Sequence, residues 1–296
     1  MVYKQSLSRK LFIAVNVTAL TLITFLGIVP FIHLLSVSLS SNTAAMAGEV
    51  KLWPIGFTLD AYRYLGDKVE FIRSLAVSVE RVVLGTAINM FLIFITAYPL
   101  SKSTEQFRWR TVYVWFFAVT MFFGGGLIPT YIIVKETGLI NSIWALILPG
   151  ALNVWNMVMM LNFFRGIPKE MDEAATIDGA THWQLLWKIY LPVSLPAIAT
   201  IGLFTVVGHW NSWFDGILYM NSPEKYPLQT YLSTLITAVN AQMQAVSIEQ
   251  LKALENISEK TLRTAQIFMG ALPIMLVYPF LQRYFIKGMT VGSVKE

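Results

Sequence analysis

Six long apolar stretches alternate with polar segments along this chain, at residues 11–35, 74–100, 111–134, 139–164, 191–219 and 265–286. Each exceeds the roughly 20 residues that an α-helix needs to cross a bilayer, with length left for tilt. The pattern predicts an all-α membrane protein with six transmembrane helices. The first stretch follows Lys4, Arg9 and Lys10, and Ala45-Met46-Ala47 resembles a signal cleavage site. Its apolar run of about 25 residues is too long for a signal core of 7–15, so it is read as a retained anchor.

Two polar segments are sizeable. Residues 36–73 hold Trp53-Pro54 and several aromatics. Residues 220–264 open on a turn-like Asn221-Ser222-Pro223. Val246, Leu251, Leu254 and Ile257 then recur at helical spacing, which predicts an amphipathic helix. No repeat or linker marks a second domain. The organisation is therefore a terminal segment (1–10), one membrane domain (11–290) and a tail (291–296).

Composition fits lipid as the solvent. Hydrophobic residues make up 55% and charged residues 13%, against about 25% charged in soluble domains. Cysteine is absent, which excludes disulfides and thiolate chemistry. His33, His182 and His209 lie far apart and signal no metal site. With the N-terminus inside, Lys and Arg number twelve in the inside segments and nine in the longer outside ones. That bias places both termini and the 165–190 loop in the cytoplasm. The net charge of +5 is thus read as a record of topology, with no nucleic-acid partner.

Polar residues within the apolar stretches are candidates for function. A charge near the centre of a crossing helix costs at least ~2.5 kcal/mol. Glu80 and Arg81 are adjacent, so they point about 100° apart on a helix and need not pair. Substrate contact, a structural pair and snorkelling all remain open for them. His209, Trp210, Asn211, Trp213 and Asp215 close the fifth stretch, and Asn153, Trp155 and Asn156 lie in the fourth. Flat rings cover the apolar face of a pyranose and amides answer its hydroxyls, while Trp is also common in the interfacial belt. Gly124-Gly125-Gly126 offers close packing, a local break or a gate in the third stretch.

The most informative segment is 165–192. Pro168 suits a first helical turn. Glu170, Asp172 and Glu173 follow, where the helix dipole favours negative charge. Gly179 permits a bend. Thr181 and Gln184 have capping-box spacing and restart a second helix. The acidic first turn offers partners to a basic residue across an interface, and the small alanines admit a close surface.

The spacing Glu173-Ala174-Ala175, three residues, Gly179, nine residues, Ile189, one residue, Leu191-Pro192 resembles the coupling loop of ABC importer permeases. Residues 127–134, 141–160, 208–221, 226–229 and 273–296 are also similar to carbohydrate-uptake permeases. They resemble the smaller maltose-type partner in its oligosaccharide- and polysaccharide-importing branch. The resemblance implies a type I ABC importer permease fold in which 165–190 forms a cytoplasmic coupling helix docked on an ATPase. Glu173 would pair with a basic residue there, Ala174 and Ala175 would give close contact, and Asp178 and Gly179 would stand at the bend. It also implies a bacterial inner-membrane location, a second homologous permease subunit, an ATPase dimer and an extracytoplasmic sugar-binding protein. No G-x-x-x-x-G-K-S/T phosphate loop occurs, so ATP and Mg would bind the partner ATPases and this chain would carry no cofactor or enzymatic activity. Asn153, Asn156, His209, Trp210, Asn211, Trp213 and Asp215 are the possible substrate path. The resemblance also implies a sugar or oligosaccharide as cargo, with alginate fragments one candidate. The alternative is a secondary transporter driven by an ion gradient, although no inverted repeat is evident. A membrane enzyme lacks any recognisable nucleophile–base pair.

Overall fold

The computed structural model describes residues 6–234 and 259–292, and no strand occurs among them. The expected amphipathic helix around Val246–Ile257 lies outside the described residues. The chain divides into two compact units, Met1–Val69 with Leu235–Leu272, and Glu70–Thr234 with Pro273–Glu296.

In the first unit, α1 (Leu7–Ser38) starts at Ser6, whose side chain caps the amide of Arg9. Its most apolar window has mean hydropathy 2.3 with no residue buried. A helix apolar all round belongs in lipid or among other spans. Only its end is buried, at Ser36, Val37 and Ser38. There the 36–73 segment folds back through α2 (Asn42–Ala47) and α3 (Asp60–Asp67). Ser36 Oγ donates to the Leu52 carbonyl (2.7 Å), Ser38 Oγ meets Tyr62 OH (2.7 Å), and Ser40 Oγ accepts from the Ile55 amide (3.0 Å).

The second unit is organised on α4 (Val69–Ser101), a single helix with Pro99 in its last turn. Its buried stripe changes character along its length. Ser74, Ser78, Arg81, Gly85 and Asn89 come first, then Ile93, Phe94, Ala97, Tyr98 and Leu100. The apolar half packs on Met157, Met160, Phe164, Leu186, Tyr190 and Ile201.

Three of the stretches expected as continuous crossings are instead broken. α5 (Arg110–Phe122) and α6 (Leu127–Glu136) meet at 114°. The glycine run is a local break, with Gly126 at φ 85° and ψ 178°, a region essentially confined to glycine. α7 (Ile143–Ile147) runs through a 3₁₀ turn at Leu148–Gly150 and bends 50° into α8 (Val154–Arg165). Pro149, which has no amide hydrogen, falls in that turn. After α9 (Lys169–Ile177), α10 (His182–Val193) meets α11 (Leu195–Asn211) at 84° around the buried Ser194. The fifth stretch breaks again before α12 (Phe214–Tyr219). The sixth falls within α13 (Glu259–Gly292). Among the described residues, α1 and α4 are long and apolar enough to cross alone, and up to five crossings are available if each bent pair is one span.

Arg81 joins these broken pieces. It is 3% exposed. One terminal nitrogen donates to the Leu146 carbonyl (3.2 Å) and the other to the Ser212 carbonyl (3.4 Å). Both also bond Asp215, one at 3.2 Å and the other more closely. Asp215 Oδ1 accepts in addition from Ser212 Oγ and the Gly216 amide, each at 2.9 Å. Of the two adjacent charges, Arg81 is a structural pair with Asp215, while Glu80 points outward and is exposed. Removing one partner of a buried pair strands the other charge. Asp215→Ala should therefore cost about 3 kcal/mol, read as a lowered melting midpoint of the purified protein in detergent. Adding Arg81→Met should recover only part of that loss, because the Leu146 and Ser212 carbonyls then lose their donor. An unchanged midpoint in Asp215→Ala would remove the pair from the account of stability.

Candidate functional site

The bends in α7–α8 and α11–α12 frame a cavity of about 390 Å³ in the second unit, within the range of small-molecule sites. Asn153, Asn156, His209 and Asp215 line it, as the sequence proposed, together with Arg81, Asn89, Thr205 and Ser212. Asn153 caps α8, its Oδ1 accepting from the Asn156 amide (3.0 Å). Asn156 Nδ2 reaches Thr205 Oγ1 at 3.5 Å. With its amide turned to donate, Asn89 bonds the carbonyls of Gly85 (2.9 Å) and Ala151 (3.1 Å). The His209 ring packs on Gly85, where an added Cβ would stand 2.5 Å from Nε2. Arg81 and Asp215 neutralise each other, so the wall offers chiefly amides and hydroxyls, a surface suited to sugar hydroxyl groups.

Three of the proposed path residues lie elsewhere. Trp210 is buried, lining a separate, wholly apolar pocket of about 190 Å³ with Val79, Val83, Leu203 and Ile274. Asn211 is exposed outside the cavity. Trp213 is 46% exposed, packs edge-on to Phe214, and gives its carbonyl to Thr230 Oγ1 (2.8 Å). Consecutive positions on α11 point in different directions, so the aromatic cluster in sequence disperses in space. Asn89, Thr205 and Ser212 were overlooked, although Asn89 is a lone amide in an apolar stretch.

The 165–192 segment forms the expected elbow. Pro168 takes the cap position before α9, one residue earlier than a first-turn proline. Gly179 bends the chain at φ 79°. Thr181 and Gln184 form the complete capping box that starts α10. The turn Leu186–Tyr190 is a wide π turn before the chain reaches Leu191–Val193.

The motif residues divide between two faces. Glu173, Ala174, Asp178, Gly179 and Pro192 are exposed. Ala175 and Ile189 are half-buried against the core, and Leu191 is buried within it. Ile177 is 85% exposed, as are in part Trp183 and Trp187, whose rings are 6.3 Å apart. Asp172 departs from the expectation of an outward acidic turn. Its Oδ2 accepts from Lys102 Nζ (2.5 Å) and Tyr190 OH (2.9 Å). Burial lowers the Lys102 pKa from the ordinary lysine value, and Asp172 opposes that shift. Burial first, and then the neighbouring Asp172 carboxylate, push the Tyr190 phenol up, which keeps it a donor.

The chain has clear relatives. Residues 82–291 match the family described as binding-protein-dependent transport system inner membrane component. The polygalacturonan/rhamnogalacturonan transport system permease protein YtcP of Bacillus subtilis is 40% identical over 276 residues, covering 93% of this chain and 95% of that protein. Protein LplC of the same organism is 39% identical over 284 residues, covering 92% and 93%. A solved chain from a bacterial ABC transporter involved in the import of the acidic polysaccharide alginate superposes with TM-score 0.86 at 33% identity. That match covers 96% of this chain and all of the other. With the broken-span helical architecture, these findings confirm the type I importer permease fold, and the chain belongs to the family of binding-protein-dependent transport system inner membrane components, the permease subunits of ABC importers.

Proposed function

We propose that this chain forms half of the membrane pathway of an ATP-driven importer for oligosaccharides cut from acidic polysaccharides. The observation that carries the reading is the elbow at Gly179, which presents Glu173, Ala174 and Ile177 to the outside on a helix of small and acidic residues. An exposed apolar side chain beside a carboxylate suits a partner groove with a basic residue at its rim. The cargo class draws on the relatives named for polygalacturonan, rhamnogalacturonan and alginate transport. The remaining parts are a second homologous permease, an ATPase dimer that binds ATP and Mg, and an extracytoplasmic binding protein. The positive-inside bias puts the elbow and both termini on the ATPase side. A gradient-driven carrier is the weaker reading, because the charged groups of the cavity, Arg81 and Asp215, are tied to each other.

Reconstituting this chain with its partners in vesicles tests the proposal. Uptake of a labelled galacturonate or alginate oligomer should require ATP and the loaded binding protein. Uptake driven by a proton or sodium gradient without ATP would overturn it. Glu173→Lys should leave the protein in the membrane and abolish transport, since it reverses the charge facing the motor; normal uptake by that variant would count against the docking role. Gly85→Ala should cut uptake several-fold by displacing His209 from the cavity wall, measured against unchanged membrane abundance. Undiminished uptake would remove that ring from the pathway.

A further inference from the structure

α9 has an outer face for a partner and an inner face that meets the membrane unit, and Asp172 sits on the inner face. Its carboxylate is 17% exposed and Lys102 is 6% exposed. Lys102 Nζ is held four ways. It bonds Asp172 Oδ2 (2.5 Å) and Tyr190 OH (2.8 Å), and lies over the rings of Tyr98 (4.4 Å) and Tyr190 (4.3 Å). Tyr98 OH in turn meets His182 Nδ1 at 3.1 Å. Both arms of the elbow are thus fastened at one point, the C-terminal end of α4.

Apolar contacts also hold the elbow to the core, and a buried, hydrogen-bonded ion pair adds fixed direction to that hold. α8 and α11 also adjoin the elbow, yet each belongs to a bent pair, at 50° and 84°. A push into a bent span can be absorbed at its bend. α4 runs unbroken from Val69 to Ser101. At 1.5 Å per residue, Asn89 is about 20 Å and Arg81 about 30 Å along it from Lys102. Both line the cavity.

We propose that Lys102, Asp172 and Tyr190 are positioning residues that latch α9 to α4, so that motor closure moves the cavity wall through this helix. The inference rests on the coupling role proposed for the elbow. A merely structural cluster would change the amount of assembled complex, not the response of each complex to ATP.

The chain has no cysteine, so single thiols can report on each end. Gly208 lines the cavity and has open space for a Cβ. In the complete importer, maleimide labelling of Gly208→Cys should change about tenfold in rate on adding ATP, Mg and vanadate, a typical coupling factor. Lys102→Met and Asp172→Asn should erase that response while ATP hydrolysis continues and Ala174→Cys still crosslinks to the ATPase. Lys102→Arg should restore it. Tyr190→Phe, which keeps the ring, should weaken it and serves if the charge variants fail to assemble. An ATP response of normal size in assembled Lys102→Met or, failing that, in Tyr190→Phe overturns the latch, as does no response in the parent. Loss of the Ala174→Cys crosslink in the otherwise native complex overturns the coupling role itself.

Discussion

Hydrocarbon offers no hydrogen bond to a carbonyl released where a helix stops, so each break inside a membrane must be answered from within the protein. In this chain a single guanidinium answers two of them. Arg81 takes the Leu146 carbonyl at the end of α7 and the Ser212 carbonyl at the end of α11, and Asp215 at the start of α12 balances its charge. Its planar fork suits this, because donors point in several fixed directions at once. The cavity follows from the same arrangement. Helices that bend apart leave space, and the side chains that satisfy the bends become its polar lining.

The coupling motif looks like one element in sequence and behaves as two in space. Glu173, Ala174, Asp178 and Gly179 shape a surface, whereas Ala175, Ile189 and Leu191 fasten that surface to the core. Small residues serve on both sides for different reasons. Outside they admit a close neighbour, and inside Ala175 lets α9 lie near the apolar end of α4. An elbow that docked outward without such anchorage would swing freely about Gly179.

Local features were the ones legible in sequence. Apolar length marked the helical stretches but not their bends, the glycine run offered a break before α6 among other readings, and Thr181 with Gln184 gave the start of α10. These depend on neighbours within a few positions. The bend at Ser194 was not legible, because a hydropathy window measures apolarity and not direction. Nor were the pairings of Arg81 with Asp215 or Lys102 with Asp172, which join residues 134 and 70 positions apart. In the cavity, Asn153, Asn156, His209 and Asp215 converge while Trp210, Asn211 and Trp213 turn elsewhere. Chemistry by residue type could nominate all seven, and only helix phase could sort them.

The wide turn at Leu186–Tyr190 carries a further consequence. A π turn accommodates one more residue than an α turn, so everything beyond it is rotated by one step. If that turn tightened to an α turn at unchanged length, Tyr190 would swing about 100° away from Lys102. The wide turn therefore takes up one residue of the nine that separate that glycine from that isoleucine while Tyr190 stays on Lys102.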